Sequence, residues 1–133
     1  MARESRLKRA LFASAKNFSL NLQRVAPEAG LWLAEKILFR RITKSMLGTE
    51  VKCIILGGSH TPQEQLKLLN ALGYYTVCGF GMTETAVTSV EMSKRLKKRV
   101  SGSVGKPLRS VEYRLKDQES SRVRRGEMLV RGK

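Results

Sequence analysis

The sequence is short of acid, cysteine, histidine and long apolar runs. Eleven Asp and Glu stand against twenty-six Lys and Arg, a formal charge of +15 over 133 residues. That imbalance permits attraction to phosphates, acidic membranes or an acidic partner, is explained equally by solvated basic faces, and says nothing about fold. Two cysteines, Cys53 and Cys78, cannot build a disulfide framework or a four-ligand zinc site. The single histidine, His60, removes a histidine-rich metal centre. No apolar stretch approaches the ~20 residues that span a bilayer. The basic start, Met1 to Arg9, has no continuous apolar segment behind it, unlike a secretory signal. A reducing, cytoplasmic setting is the expectation, with peripheral membrane contact compatible with the charge. Aromatics are also scarce: four Phe, three Tyr and one Trp, mostly in predicted core, are a poor stacking platform for nucleic acid.

Hydrophobic residues make up 41% of the chain, ordinary for a globular protein with one modest core. Residues 5–25 and 28–47 predict two helices separated by Pro27 and Gly30. In the second, Leu31, Leu38, Ile42 and Met46 recur at helical spacing, a stripe expected to pack on a sheet, and Gly48 is placed to end it. Residues 51–56 (VKCIIL) then read as a strand buried on both faces. Thr61 to Glu64 supply an N-cap, a proline at the first helical position and a following glutamate, opening a helix over 62–72 that Gly73 stops. Tyr74 to Cys78 form a second β-rich run, ending in Gly79-Phe80-Gly81.

The fold class that follows is α/β: a partial parallel sheet with packed helices, built on a strand–helix–strand unit at 51–78, then a small antiparallel β hairpin. A crossover makes the two strands parallel and right-handed. Both end at their carboxyl edge in glycine-bearing loops, 57–60 and 79–84. Open parallel sheets bind ligands at that edge, so a site there follows from topology. Beyond it, residues 94–99 (KRLKKR) hold five basic residues in six and read as an exposed loop or helix end. Residues 102–107 form a turn-rich connector. Val111, Tyr113 and Leu115 alternate with charged residues as a half-buried strand, with 127–131 as its antiparallel partner across the polar stretch 117–126. Cys53 and Cys78 are expected as small hydrophobes in adjacent strands, and Tyr74 and Tyr75 as packing residues.

The densest chemical signal is GFGMTET, Gly79 to Thr85. An aromatic ring can pack on a base, a threonine hydroxyl can bond a phosphate oxygen, and a glutamate can hold Mg²⁺ beside it. A strand-end turn with Thr83 capping a helix explains the same residues. The segment resembles the aromatic-Gly-x-Thr-Glu signature of the adenylate-forming superfamily: acyl- and aryl-CoA synthetases, peptide-synthetase adenylation domains and luciferases. Three further pieces fall in that family's order. LGGSHTPQE (Leu56 to Glu64) is similar to its Gly-Gly-Ala-Pro segment, GSVGKPL (Gly102 to Leu108) to its Gly-x-x-Gly-x-Pro connector, and GEMLVRG (Gly126 to Gly132) to its Gly-Glu strand.

The resemblance implies roles by position. Gly57, Gly58 and Ser59 would form a wall of the adenine and acyl site, with Gly79, Phe80, Gly81 and Met82 opposite. Phe80 would pack on adenine, where tyrosine is commoner. Thr83 would contact the α-phosphate and Glu84 would bind Mg²⁺. Ser59 and His60 stand where the family has Ala-Pro, a departure that alters the acyl pocket; His60 would either contact the acid's carboxylate there or be a loop residue of no catalytic weight. Enzymes of this kind join a carboxylic acid to ATP, giving an acyl-adenylate, and a thiol, usually coenzyme A, then displaces AMP. The basic helices and Thr88 to Glu91 lean towards fatty acids.

Other family parts are absent: the phosphate loop ending in Pro-Lys, a Thr-Gly-Asp after GEMLVRG, and a small C-terminal domain with its lysine. Residues 1–133 therefore read as an internal part of the AMP-binding N-terminal domain: 1–50 helical, 51–93 the nucleotide-site unit, 100–133 a β region. Alone, such a piece is expected to be catalytically silent and to bind AMP weakly at most, with a complementing piece of the same enzyme as a partner. The alternative is a small basic protein binding nucleic acid or anionic membrane without catalysis.

Overall fold

The computed structural model describes residues 2–48, 50–116 and 126–132. The chain begins with helices. Helix α1 (Ala2–Val25) ends before Pro27, whose fixed φ opens helix α2 (Pro27–Leu33) at its first turn. Gly30 does not separate the helices, as its spacing suggested; it lies inside α2, buried. A Cβ there would stand 2.6 Å from Gln23 Cγ, so its role is close contact between α1 and α2.

The expected continuous helix over 28–47 is broken. After α2 comes a π-helical stretch, Ala34–Leu38, closed by a 2.9 Å bond from the Phe39 N–H to the Ala34 carbonyl, and then helix α3 (Arg40–Met46). The wider turn rotates the later residues about the axis. It brings Phe39 into the core beside Ala34, Leu72 and Tyr74, edge-on to Phe12 at 5.6 Å. Thr43 is buried with them, while Leu38, Ile42 and Met46 remain 36%, 36% and 52% exposed. The predicted apolar stripe is therefore not the packing face. Gly48 does follow the last helix, at φ +79°.

Strand β1 (Ile54–Leu56) is shorter than expected and forms the sheet edge; Ile54 packs against the core, and Ile55, on the opposite face, is exposed, so the strand is not buried on both faces. Cys53 precedes the strand and is exposed, contrary to its expected burial. Helix α4 (Gln63–Ala71) begins one residue later than predicted: Pro62, in extended conformation, occupies the cap position, and no side chain caps the end. Gly73 stops the helix at φ +102°, where a Cβ would strike the Glu35 backbone N at 2.5 Å. Strand β2 (Thr76–Met82) then pairs parallel with β1, with Ile54 opposite Thr76 and Leu56 opposite Cys78.

The sheet is mixed. β2 runs on through Met82 and turns into β3 (Ala86–Val90), its antiparallel neighbour, and β3 pairs with the short β4 (Lys106–Pro107). Residues 79–82 are thus strand rather than loop, and Thr83 caps no helix. Among the described residues β1 pairs on one side only, with β2, whereas β2 is paired on both sides. Strands β5 (Val111–Lys116) and β6 (Glu127–Gly132) form the expected antiparallel pair, Val111 opposite Gly132. The joining segment 117–126 lies, except for Gly126, outside the described residues.

The basic run departs furthest from expectation. Leu96–Arg99 form the short helix α5, and Arg99 is fully buried rather than exposed. Its Nε donates to Asn70 Oδ1 at 2.9 Å, its Nη2 to Gln23 Oε1 at 3.0 Å, and its Nη1 to the Lys94 carbonyl. The guanidinium lies 4.9 Å from the Tyr75 ring centroid, a cation–π contact. Gln23 Nε2 donates to the Asn70 carbonyl at 2.8 Å, and Ser19 Oγ to the Ala71 carbonyl at 2.7 Å. α1, α4 and α5 are tied together by this network. Burial lowers the Arg99 pKa, and oxygen dipoles with one aromatic face surround the charge in place of a carboxylate. Tyr74, as expected, is a packing residue whose hydroxyl donates to the Thr43 carbonyl at 2.9 Å.

Candidate functional site

Two strand ends meet at the carboxyl edge of the β1–β2 pair. Because Leu56 pairs with Cys78, Gly57 falls beside Gly79, and the backbones come close: a Cβ on Gly57 would sit 2.9 Å from the Gly79 carbonyl oxygen. Beyond that contact opens a cavity of about 340 Å³. Its first wall is Gly58, Ser59, His60 and Thr61, and its second is Cys78, Gly79, Phe80 and Gly81. Gly102 and Val104, from the connector before β4, close a third side. The volume falls within the range of small-molecule sites.

Glycine is required on the second wall. A Cβ at Gly81 would lie 2.3 Å from the Ala86 carbonyl oxygen, so only glycine lets β3 pair so closely there. The ladder is irregular at this point. A bulge between Phe80 and Gly81 leaves Thr88 without an opposite residue, between the pairs Gly81–Val87 and Phe80–Ser89. Thr88 Oγ1 donates to the Phe80 carbonyl at 3.1 Å and accepts from the Tyr113 hydroxyl at 2.6 Å. The β5–β6 hairpin is thereby linked to the backbone that carries Phe80.

The hairpin tip holds the remaining candidates. The Thr85 N–H bonds the Met82 carbonyl at 3.2 Å, closing a turn over Thr83, Glu84 and Thr85, and Ala86 follows at φ +54°, a left-handed conformation unusual for a residue with a Cβ. Met82, Thr83 and Glu84 are exposed and do not line the cavity. Glu84 stands three positions beyond Gly81, so its Cα is at most about 11 Å along the chain from the cavity wall. Among the described residues no group of three His, Cys, Asp or Glu stands together as a metal cage. A single exposed carboxylate suits Mg²⁺, which keeps waters and takes substrate phosphates as its other ligands.

Of the residues predicted from sequence, Gly58, Ser59, His60, Gly79, Phe80 and Gly81 gather around the cavity, and Gly57 lies at its base. Thr83, Glu84 and Met82 sit at the adjoining tip. Gly102, Val104, Thr88 and Tyr113 were not singled out as site residues. The first two carried a signal in the GSVGKP turn; the pairing of Thr88 with Tyr113 carried none. At the cavity wall, burial raises the Cys78 thiol pKa, opposed by a hydrogen bond with Thr61.

The chain belongs to the AMP-binding enzyme family, whose model matches residues 2–133. It is 36% identical over 104 residues to the probable acyl-activating enzyme 16, chloroplastic, of Arabidopsis thaliana, covering 75% of this chain and 14% of that protein. It is 33% identical over 84 residues to the 2-succinylbenzoate–CoA ligase of Bacillus subtilis (strain 168), covering 62% of this chain and 17% of the relative. Similarity at 33% over 104 residues, 75% of this chain and 14% of the relative, extends to the chloroplastic long-chain-fatty-acid–acyl-carrier-protein ligase AEE15 of Arabidopsis thaliana. The chain spans only 14% to 20% of the length of such relatives.

Proposed function

We propose that this chain provides the adenine-facing wall and the metal-binding carboxylate of an adenylate-forming acid ligase. The observation that carries the reading is the cavity between two glycine-bearing strand ends, lined by Gly58 to Thr61 and Gly79 to Gly81 and followed directly by Thr83 and Glu84. Glycine gives an aromatic base close access to backbone, and Phe80 supplies an apolar ring at that wall. Thr83 and Glu84 are the next polar groups along the strand, where a nucleotide's phosphates would extend.

In the proposed reaction a carboxylate oxygen attacks the α-phosphorus of ATP, an acyl–oxygen–phosphorus bond forms, and pyrophosphate leaves. A thiol then attacks the acyl carbon, loses its proton, and AMP leaves. The difficulty is to bring two anions together. Thr83 would donate to an α-phosphate oxygen. Glu84 would hold Mg²⁺, which when bound supplies charge neutralisation at the phosphates. A fatty acid as the substrate and coenzyme A as the thiol belong to the same proposal. Among the relatives, the names of the 2-succinylbenzoate–CoA ligases specify coenzyme A and that of AEE15 specifies acyl carrier protein.

The test has two parts. AMP titrated into the 133-residue chain should shift the amide resonances of Ser59, His60 and Gly79 to Gly81, with weak affinity. Absence of those shifts at millimolar AMP would remove the nucleotide site. A chimera then carries residues 56–132 in place of the matching segment of the Bacillus subtilis ligase. It should retain acid-dependent ATP–pyrophosphate exchange, and Glu84→Gln within it should lower exchange on the order of a hundredfold. Unchanged exchange would remove Glu84 from the mechanism.

A further inference from the structure

A second concavity lies on the helical side. Leu20 and Pro27 from the α1–α2 corner and Leu96 and Val100 around α5 form an apolar floor. Four cations, Arg24, Lys67, Arg95 and Lys97, stand around it, and no carboxylate lines it. The volume is about 560 Å³, and none of its lining residues belongs to the cavity at the strand ends.

Charge is what selects the occupant. The nearby carboxylates are already engaged: Glu64 with Lys67 at 2.7 Å and Glu28 with Lys94 at 2.7 Å. Arg24 bonds the neutral Asn21 Oδ1 at 3.1 Å. Arg24, Arg95 and Lys97 make no ion pair among the described residues. An apolar floor under three uncompensated cations is complementary to a molecule with one anionic end and one apolar end. Size narrows the choice further. The volume is that of a small-molecule pocket, whereas a docked helix is ~10 Å across and a bilayer cannot enter a concavity.

We propose that the groove between α1, α4 and α5 binds a single-chain anionic amphiphile, its carboxylate or phosphate head held by Arg95, Lys97 and Arg24 and its chain laid on Leu20, Leu96 and Val100. The site is independent of the nucleotide reading, since it needs neither ATP nor the strand-end cavity. Arg99 fixes α5 from below by its bonds to Gln23 and Asn70, so the groove's α5 wall is preformed.

The experiment is a calorimetric and NMR titration of the 133-residue chain with dodecanoate below its micellar concentration, and in parallel with dodecyl phosphate. Both should bind at one saturable site, shifting resonances of Leu20, Leu96 and Val100. Arg95→Glu with Lys97→Glu should weaken binding at least about tenfold, and the Gln versions by less. Arg40→Glu with Arg41→Glu removes the same charge from α3 and should change affinity less than about twofold. These positions are exposed, so circular dichroism should show both variants folded. Equal loss in the two charge-reversed variants would overturn the proposal, as would equal binding of dodecyltrimethylammonium. Shifts at Ser59 and Phe80 in place of the groove would also overturn it. So would binding to phosphatidylglycerol vesicles without binding to monomeric dodecanoate, which would assign the basic face to a membrane surface.

Discussion

The Arg99 hub and the Gly79–Ala86 hairpin are held by opposite means. At the hub, side chains far apart in sequence meet in a buried place: Gln23, Asn70 and Arg99 satisfy one another, and Tyr75 covers the guanidinium. At the hairpin the shape is set by backbone: a glycine where β3 approaches, a bulge opposite Thr88, and a left-handed alanine after the turn. The chemistry-bearing side chains of the hairpin, Thr83 and Glu84, point into solvent and support nothing. Stability and proposed function therefore sit on different residues. Substitutions at Arg99 and at Glu84 should separate the two, whereas Gly81 serves both.

The largest effect is expected at the hub. Arg99→Ala leaves the Gln23 and Asn70 side-chain oxygens and the Lys94 carbonyl without their donor, and opens a void beside Tyr75. Lost hydrogen bonds and the void together should cost about 3–5 kcal/mol, a large part of a small domain's stability. Denaturant unfolding measures it. Arg99→Met, which refills the volume but not the bonds, should recover part of the loss. A cost below about 1 kcal/mol for Arg99→Ala would show that the hub is not what joins α1, α4 and α5.

Next comes Gly81→Ala. Its Cβ would meet the Ala86 carbonyl at 2.3 Å, so the hairpin must open or shift, at a cost of about 1–3 kcal/mol. Unlike the hub variant, it should also weaken AMP binding, because Gly81 lines the cavity. A change in stability with AMP binding untouched would detach the hairpin from the site.

A smaller effect of opposite sign is expected at Ala86. Its φ of +54° costs a residue with a Cβ roughly 1 kcal/mol relative to glycine. Ala86→Gly should relieve that strain but add unfolded-state entropy, leaving a net gain of about 0.5 kcal/mol or less. Destabilisation by more than about 1 kcal/mol would mean that the alanine methyl has a packing role.

What the sequence showed and what it hid follow the same division. The parallel pair at 54–56 and 76–78, the Gly73 stop and the meeting of Gly58–His60 with Gly79–Gly81 are all local consequences of a change in hydrophobic period and of glycine at strand ends. Local signals can be read one segment at a time. Arg99 could not be read so, because its burial depends on Gln23, 76 residues earlier, and on Asn70, 29 residues earlier. In isolation KRLKKR is a solvated run. The π-helical turn at 34–38 was hidden for a related reason. One wide turn moves the packing face from Leu38 and Ile42 to Phe39 and Thr43, and only the distant Leu72 and Tyr74 make that shift favourable. Thr88 was hidden because a bulge has no composition of its own.

The smallest expected effect uses the two thiols to compare the sheet edge with its interior. Cys53 is exposed just before β1, and Cys78 is buried in β2 at the cavity wall. Burial raises both pKa values, so at neutral pH little thiolate is present at either and alkylation by iodoacetamide should be slow. Each rate should climb about tenfold per pH unit below its thiol pKa, where the reactive thiolate fraction rises with pH. Access then distinguishes them. Cys53 should react at least about tenfold faster, since Cys78 reacts only when β2 opens locally. Saturating AMP should slow Cys78 further by filling the cavity that Cys78 lines, and leave Cys53 unchanged as an internal reference. Mass spectrometry of the peptides reads both rates in one sample. Equal rates would mean that the β2 wall opens as freely as the edge, and AMP slowing both equally would place its effect on global stability rather than at the strand-end cavity.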